Sequence, residues 1–263
     1  MERDVILTAF ACSAQAPCEA WANDFFSDPP LVLNVPGGDG AAFRSHASTW
    51  GASGDAFKAA LQEAAAHRPE LKGVTIRRRG LVTFSVGWSF ADNLFGFAAE
   101  RQRLDAYVLL DGCHTRAIKP WVEFATRAAN MEALMMMAHT AIDPHTFPST
   151  TTTNTEMFKQ ACENNDANLQ APNVTSTVPD YVLHGQLPDG GVMISLAGAP
   201  GLNPISKHWV TDPLVGVESR GNLYKLSYDG NDRPDHVFVA WFVAKRMWQW
   251  LGEEWSKVAT GSA

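Results

Sequence analysis

An apolar stretch, Leu81 to Val86, runs into Gly87-Trp88-Ser89-Phe90-Ala91 and from there into a helical pattern spanning Phe90 to Leu104. A serine between two small residues on such a strand-to-helix passage predicts a sharp turn. The backbone at the turn is strained, and the residues two before and two after the serine must be small so that neighbouring chains can pack. Gly87 and Ala91 fill those two positions, which makes Ser89 the serine that this pattern predicts to be the exposed nucleophile. The common form of the motif ends in glycine, so the alanine at 91 leaves the strand–turn–helix context to carry much of the signal.

The rest of the chain alternates strand-like and helix-like runs, which predicts a mainly parallel sheet covered by helices on both faces. Strands are expected at Val5–Phe10, Leu31–Val35, Gly73–Ile76, Leu81–Val86, Ala106–Leu110, Ala133–Ala138 and Asn222–Tyr228. Helices are expected at Ala56–Ala66, Phe90–Leu104, Trp121–Ala129 and Glu156–Glu163, with a long amphipathic one opening at His236 and ending near Trp250-Leu251. Ala106–Leu110 shows no alternation of polar and apolar residues, the mark of a strand buried on both faces, and it stops abruptly at Asp111-Gly112. Between Pro144 and Gly221 the pattern loosens, with Val192–Leu196 as the one clear strand. Residues 144–221 are therefore expected to form an insertion or cap over one edge of a single domain covering 1–263.

Composition limits the function classes. With 46% hydrophobic and 19% charged residues the chain is an ordinary globular one. A net charge of −7 disfavours nucleic acid as a partner, because backbone binding needs a basic face. The one basic cluster, Arg77-Arg78-Arg79, is expected to be a solvated edge. No apolar run is long enough to span a bilayer, and Val5–Phe10 suits a first strand better than a signal peptide, so a cytoplasmic setting is expected. The four cysteines form no C-x-x-C pair, and reduced thiols are expected. Neither G-x-x-x-x-G-K-[ST] nor G-x-G-x-x-G occurs, and no cofactor is expected.

A serine hydroxyl becomes a useful nucleophile only with a base to take its proton and a carboxylate to hold that base in the right tautomer. The order along the chain supplies both. Ser89 follows a central strand, Asp111 and Asp143 follow later strands, and His236 is the histidine that combines a late position, a preceding strand and a following helix. Asp111 is preferred as the acid because it abuts a buried strand, with Asp143 as the alternative. The backbone N–H of Phe90 and those of Gly37 and Gly38, in the Gly-rich loop after Leu31–Val35, are expected to receive a developing oxyanion. Trp88, His114 and His139 are expected to line the substrate pocket, with Trp209 as a further aromatic candidate.

Gly87–Ala91, Leu109–Thr115 and Pro120–Ala125, extended by His139–Ile142 and Ser149–Thr152, resemble a bacterial and phage-encoded branch of the α/β-hydrolase superfamily. The resemblance covers roughly residues 28 to 252. It implies an α/β-hydrolase fold, a mainly parallel central sheet with an inserted cap-like region, and hydrolysis of a small-molecule or polymer-borne carboxylic ester through an acyl-enzyme. The alternative is a non-catalytic binding or virion-associated module that keeps the turn by descent. Metal-assisted hydrolysis through Asp111, His114 and His139 lacks the support of an H-E-x-x-H or comparable cluster.

Overall fold

The N-terminal residues expected to form a strand do so in the interior of a sheet, where alternate side chains are buried on opposite faces. The structure, a computed structural model, describes residues 1–12, 15–140, 150–164, 178, 214–228, 236 and 239–260. In chain order the first half comprises β1 (Glu2–Phe10), α1 (Cys18–Phe25), β2 (Leu31–Asn34), α2 (Gly40–Ala52), α3 (Ala56–His67), β3 (Thr75–Phe84), α4 (Trp88–Phe95) and α5 (Ala98–Arg103). The second half comprises β4 (Ala106–Leu110), α6 (Lys119–Ala129), β5 (Leu134–His139), α7 (Thr150–Asn164), β6 (Leu214–Arg220), β7 (Leu223–Tyr228) and α8 (Ala244–Thr260). A π-helical turn, Val239–Val243, leads into α8.

The seven strands lie in the order β2-β1-β3-β4-β5-β7-β6, all parallel except β6, which runs antiparallel to β7. From β1 the chain first adds β2 on one side and then β3 on the other, so the direction of growth reverses between β1 and β3. In open parallel sheets such a reversal leaves a crevice at the carboxyl ends of the strands, where ligands bind.

Both faces of the sheet are covered. Val5, Leu7 and Ala9 of β1 belong to one core with Phe43 and Trp50 of α2, Phe57 of α3, Phe95 of α4, Trp121 of α6 and Met157 of α7. Ile6 and Phe10 point the other way, into a second core with Trp21 of α1 and Met247, Trp248 and Trp250 of α8. Truncating a fully buried ring of this size costs roughly 3–5 kcal/mol, so the C-terminal tryptophans that lie here hold α8 onto the sheet. The methionine run of β5 is wholly buried core.

Several sequence expectations are corrected. Gly73–Ile76 and Leu81–Val86 are not two strands but one continuous β3 ending at Phe84. The three arginines are therefore strand residues, of which Arg77 stays exposed, as expected, while Arg78 and Arg79 are partly buried. Arg77 Nε and Arg78 Nη2 bond to the buried Asp4 carboxylate at 2.8 and 2.6 Å, which also accepts from Trp255 Nε1 at 2.8 Å. Burial pulls the Asp4 pKa up, but these three donors outweigh it and hold it down to about 2. Arg78 also lies over the Trp255 ring at 4.7 Å, which ties the end of α8 to β1 and β3. Arg79 pairs with Asp55, and its backbone N–H donates to Asp105.

Within the stretch expected to be an insertion, two parts belong to the body of the fold. Helix α7 buries Met157, Phe158 and Ala161 in the first core, and β6 is a sheet strand. Residues 165–177 and 179–213, which include the expected Val192–Leu196 strand and Trp209, lie outside the described residues.

Candidate functional site

Register across the sheet sets one row of residues at a common level. Phe10 pairs with Phe84, Phe84 with Leu110, Leu110 with Ala138 and Ala138 with Leu226. The next residue along each of β3 and β4 is Ser85 and Asp111, and adjacent strands lie about 4.8 Å apart. A serine and a carboxylate thus follow neighbouring strands at the carboxyl edge, beside the point where sheet growth reverses between β1 and β3.

Ser85 occupies the strand-to-helix turn. Its φ is 52°, in the left-handed region that a non-glycine residue adopts at a cost of roughly 1–3 kcal/mol. A short 3₁₀ turn, Ser85–Gly87, leads directly into α4. Gly87 meets the demand for a small residue two positions later. A Cβ there would lie 1.9 Å from the carbonyl oxygen of Ala9 on β1, so only glycine permits this approach of the two backbones. Ser85 is partly exposed.

Ser89, the serine expected at this turn, lies within α4 instead. It is buried, and its hydroxyl donates to the carbonyl of Val86 at 2.8 Å and lies 3.2 Å from that of Gly40. A hydroxyl turned back onto the preceding turn of its own helix is an ordinary helical serine. Gly87 is a small residue of the turn, as expected, but it follows the turn serine and does not precede it. The residue after the turn serine is accordingly Val86. Phe90, expected in that role, is a core residue packed edge-on to Trp50.

Asp111 ends β4 with φ 42°, a conformation that aspartate tolerates better than most residues, and its side chain is fully buried. A buried carboxylate needs partners, and this one has three donors around it. Thr140 N–H reaches Oδ1 at 2.9 Å, Thr140 Oγ1 reaches Oδ2 at 2.6 Å, and His236 Nδ1 lies 2.8 Å from the same Oδ2. The His236 ring stacks on Phe84, the residue before Ser85, with centroids 4.6 Å apart. Gly112 closes the arrangement, since a Cβ there would sit 2.9 Å from the Ser85 carbonyl oxygen and 3.0 Å from Trp88 Cβ. Asp111 and His236 are thus brought together as the sequence suggested. Asp143 lies outside the described residues.

Trp88 and His114 flank the turn, their rings edge-to-face at 6.2 Å, and both are partly exposed. His139, the last residue of β5 and expected at the pocket, is enclosed by neighbouring elements. It is buried, with Thr151 Oγ1 3.4 Å from Nδ1 and Ser227 Oγ 3.1 Å from Nε2. Burial lowers its pKa to about 4 despite the opposing pull of Asp111, so the ring is neutral at ordinary pH.

The unfolded chain takes up a proton on this histidine below about pH 6.5 and the folded chain only near 4. Its contribution to stability is therefore complete above 6.5 and is lost as the pH falls from there towards 4. Urea unfolding at pH 7.5 and pH 5 should show a drop that is about 2 kcal/mol smaller in His139→Asn than in the wild type. Equal drops in the two proteins would mean that His139 is not held neutral.

Gly37 and Gly38 follow the edge strand β2, which is separated from β3 by β1. A Cβ on Gly37 would meet Ala42 and Phe43 of α2, and one on Gly38 would meet nothing within 4 Å. Gly40, the first residue of α2, makes a close approach here, since a Cβ there would lie 3.1 Å from Val86 Cγ2 and 3.3 Å from Ser89 Oγ. The last paired residues before the turn are Phe10 of β1 and Phe84 of β3, so the segment that directly follows the strand beside Ser85 is Ala11-Cys12. This reassignment needs the strand order, which a linear reading does not contain.

Among the described residues no group of three His, Cys, Asp or Glu side chains is arranged to hold a metal ion, and no helix is long and apolar enough to cross a membrane. Cys113 and Cys18 are buried, and burial raises both thiol pKa values. Two adjoining cavities, of about 680 and 550 Å³, lie by α3 and the N-terminal half of β3, at the other end of that strand from Ser85. Of the basic side chains in their lining, Lys58 and Arg79 pair with Asp55 and Arg103 with Glu100, and the lining contains no nucleophile–base pair. Compared with protein-family models, curated proteins and solved structures, the chain matches none.

Proposed function

We propose that this protein is a serine hydrolase that cleaves carboxylic esters through an acyl-enzyme, with Ser85 as nucleophile, His236 as general base and Asp111 as the acid that orients the base. One observation carries the reading. A strained, partly exposed serine at a strand-to-helix turn lies next to a residue on which an imidazole is stacked, and that imidazole is hydrogen-bonded to a buried carboxylate. The order Ser…Asp…His, and the position of these residues at the carboxyl ends of the strands beside the reversal in strand order, fit the α/β-hydrolase arrangement.

In this mechanism Ser85 Oγ attacks the ester carbonyl carbon while His236 Nε2 takes the hydroxyl proton. Asp111 accepts from Nδ1–H, which leaves Nε2 as the basic nitrogen and stabilises the imidazolium. The oxyanion is received by the N–H of Val86, at a helix start where N–H groups lack intrahelical partners, and by an N–H of the Ala11-Cys12 segment. The imidazolium returns the proton to the departing alcohol. Water then adds to the acyl carbon, giving up a proton to His236, and the acid and free Ser85 are released. Trp88 and His114 offer an aromatic wall beside the turn for the acyl or alcohol group.

Rapid mixing with a short p-nitrophenyl ester tests this reading. An acyl-enzyme that is hydrolysed slowly gives a burst of p-nitrophenol equal to the enzyme concentration, followed by linear turnover. Turnover in which every burst is retained by Ser85→Ala would exclude Ser85 as the nucleophile.

A further inference from the structure

Thr140, the residue directly after β5, has no acid–base chemistry of its own yet touches both oxygens of Asp111. We propose that Thr140 is the positioning residue that aims Asp111 at His236, an inference that rests on the triad reading above.

The geometry separates its two contacts. The Thr140 backbone N–H holds Oδ1 at 2.9 Å, and its hydroxyl, at 2.6 Å, shares Oδ2 with His236 Nδ1 at 2.8 Å. A carboxylate oxygen offers two lone-pair directions. With one taken by the Thr140 hydroxyl, the other is directed at the imidazole, and the plane of the carboxylate is fixed by donors on both oxygens. Asp111 needs this support from outside its own strand, since its φ of 42° turns the chain away from β4 directly after Leu110. Thr140 is itself clamped. Its carbonyl accepts from Thr151 Oγ1 of α7 at 3.2 Å, and the Asp111 N–H donates to the Ala138 carbonyl at 2.7 Å, locking the ends of β4 and β5 together. The positioning thus runs from α7 through Thr140 to Asp111 and His236, and the acid on β4 is held by the strand beside it.

Thr140→Val keeps the shape and the backbone donor and removes only the hydroxyl, whereas Thr140→Ser keeps the hydroxyl. On a short p-nitrophenyl ester, Thr140→Val should lower kcat roughly tenfold to a hundredfold, the size expected for one charge-assisted hydrogen bond, with KM within about twofold of wild type. Thr140→Ser should recover most of that loss. In proton NMR the far-downfield resonance of the hydrogen bond between His236 and Asp111 should shift or broaden in Thr140→Val and return in Thr140→Ser.

A purely structural role predicts a lower melting temperature for both variants with kcat and the resonance unchanged, and that result would overturn the proposal. If Thr140→Val does not fold, Thr140→Ala read by the same NMR signal and kcat decides. Ser85→Ala serves as the control on the underlying reading. Full activity in that control removes the triad itself, whereas an inactive control together with an unaffected Thr140→Val removes only the role of Thr140.

Discussion

Replacing Ser85 by alanine is expected to lower kcat on a short p-nitrophenyl ester by about 10⁴- to 10⁶-fold, and replacing Ser89 by alanine to change it by less than about threefold. The two serines are four residues apart and share the same glycine, yet their environments differ in kind. Ser85 is strained at φ 52° and partly exposed, whereas Ser89 is buried and donates to the carbonyl of Val86. On the proposed mechanism no acyl-enzyme can form without Oγ of Ser85, which would leave only the contribution of the oxyanion donors and substrate binding. Ser89→Ala should register in stability instead, by roughly 0.5–1.5 kcal/mol for the lost hydrogen bond. Steady-state kinetics and urea melts on both variants check this, and an active Ser85→Ala beside an inactive Ser89→Ala would restore the assignment that the pentapeptide alone suggests.

The second large effect is expected at Asp111. Asp111→Asn should reduce kcat by about 10⁴-fold with the fold intact, because an amide facing Nδ1 can present its NH₂ and reverse the imidazole tautomer, leaving Nε2 protonated and unable to act as base. The change is nearly isosteric, and the amide oxygen can still accept from Thr140 N–H or its hydroxyl. Asp143→Asn should change kcat little. Kinetics of the two variants on one ester, with circular dichroism to confirm folding, measure the contrast. A small loss from Asp111→Asn alongside a large one from Asp143→Asn would transfer the acid to Asp143.

Much of the sheet was legible because its strands are short apolar runs bounded by turn residues. Ala106–Leu110 was read to the residue, and β1, β2, β5 and β7 to within a few positions. Asp111 and His236 were legible for the same reason, since both follow strands in an order that brings them to one edge. Ser85 was not. Val86 is apolar and prolongs the strand pattern beyond its true end at Phe84, and the two-residue spacing of small residues fits Ser89 as well as it fits Gly87 after Ser85. What separates the two serines is the contact of Gly87 with Ala9, a partner far away in the sequence.

The arginine run misled in the same way. Its acidic partners, Asp4, Asp55 and Asp105, are scattered along the chain, and only strand pairing gathers them. Helix α2 was missed because its buried face carries only Phe43, Ala47 and Trp50 between glycines at 40 and 51, although the Asp39 side chain that caps it, accepting from Ala42 N–H, was present as a start signal.

The central claim, that Ser85 is the nucleophile, is tested most directly by mapping the site of covalent modification. After reaction with a fluorophosphonate, proteolysis and tandem mass spectrometry should locate one phosphonyl group per chain on Ser85, with labelling blocked in His236→Ala because the hydroxyl then has no base. An adduct on Ser89 or on any other residue, or labelling of Ser85→Ala at the wild-type rate, would contradict the account.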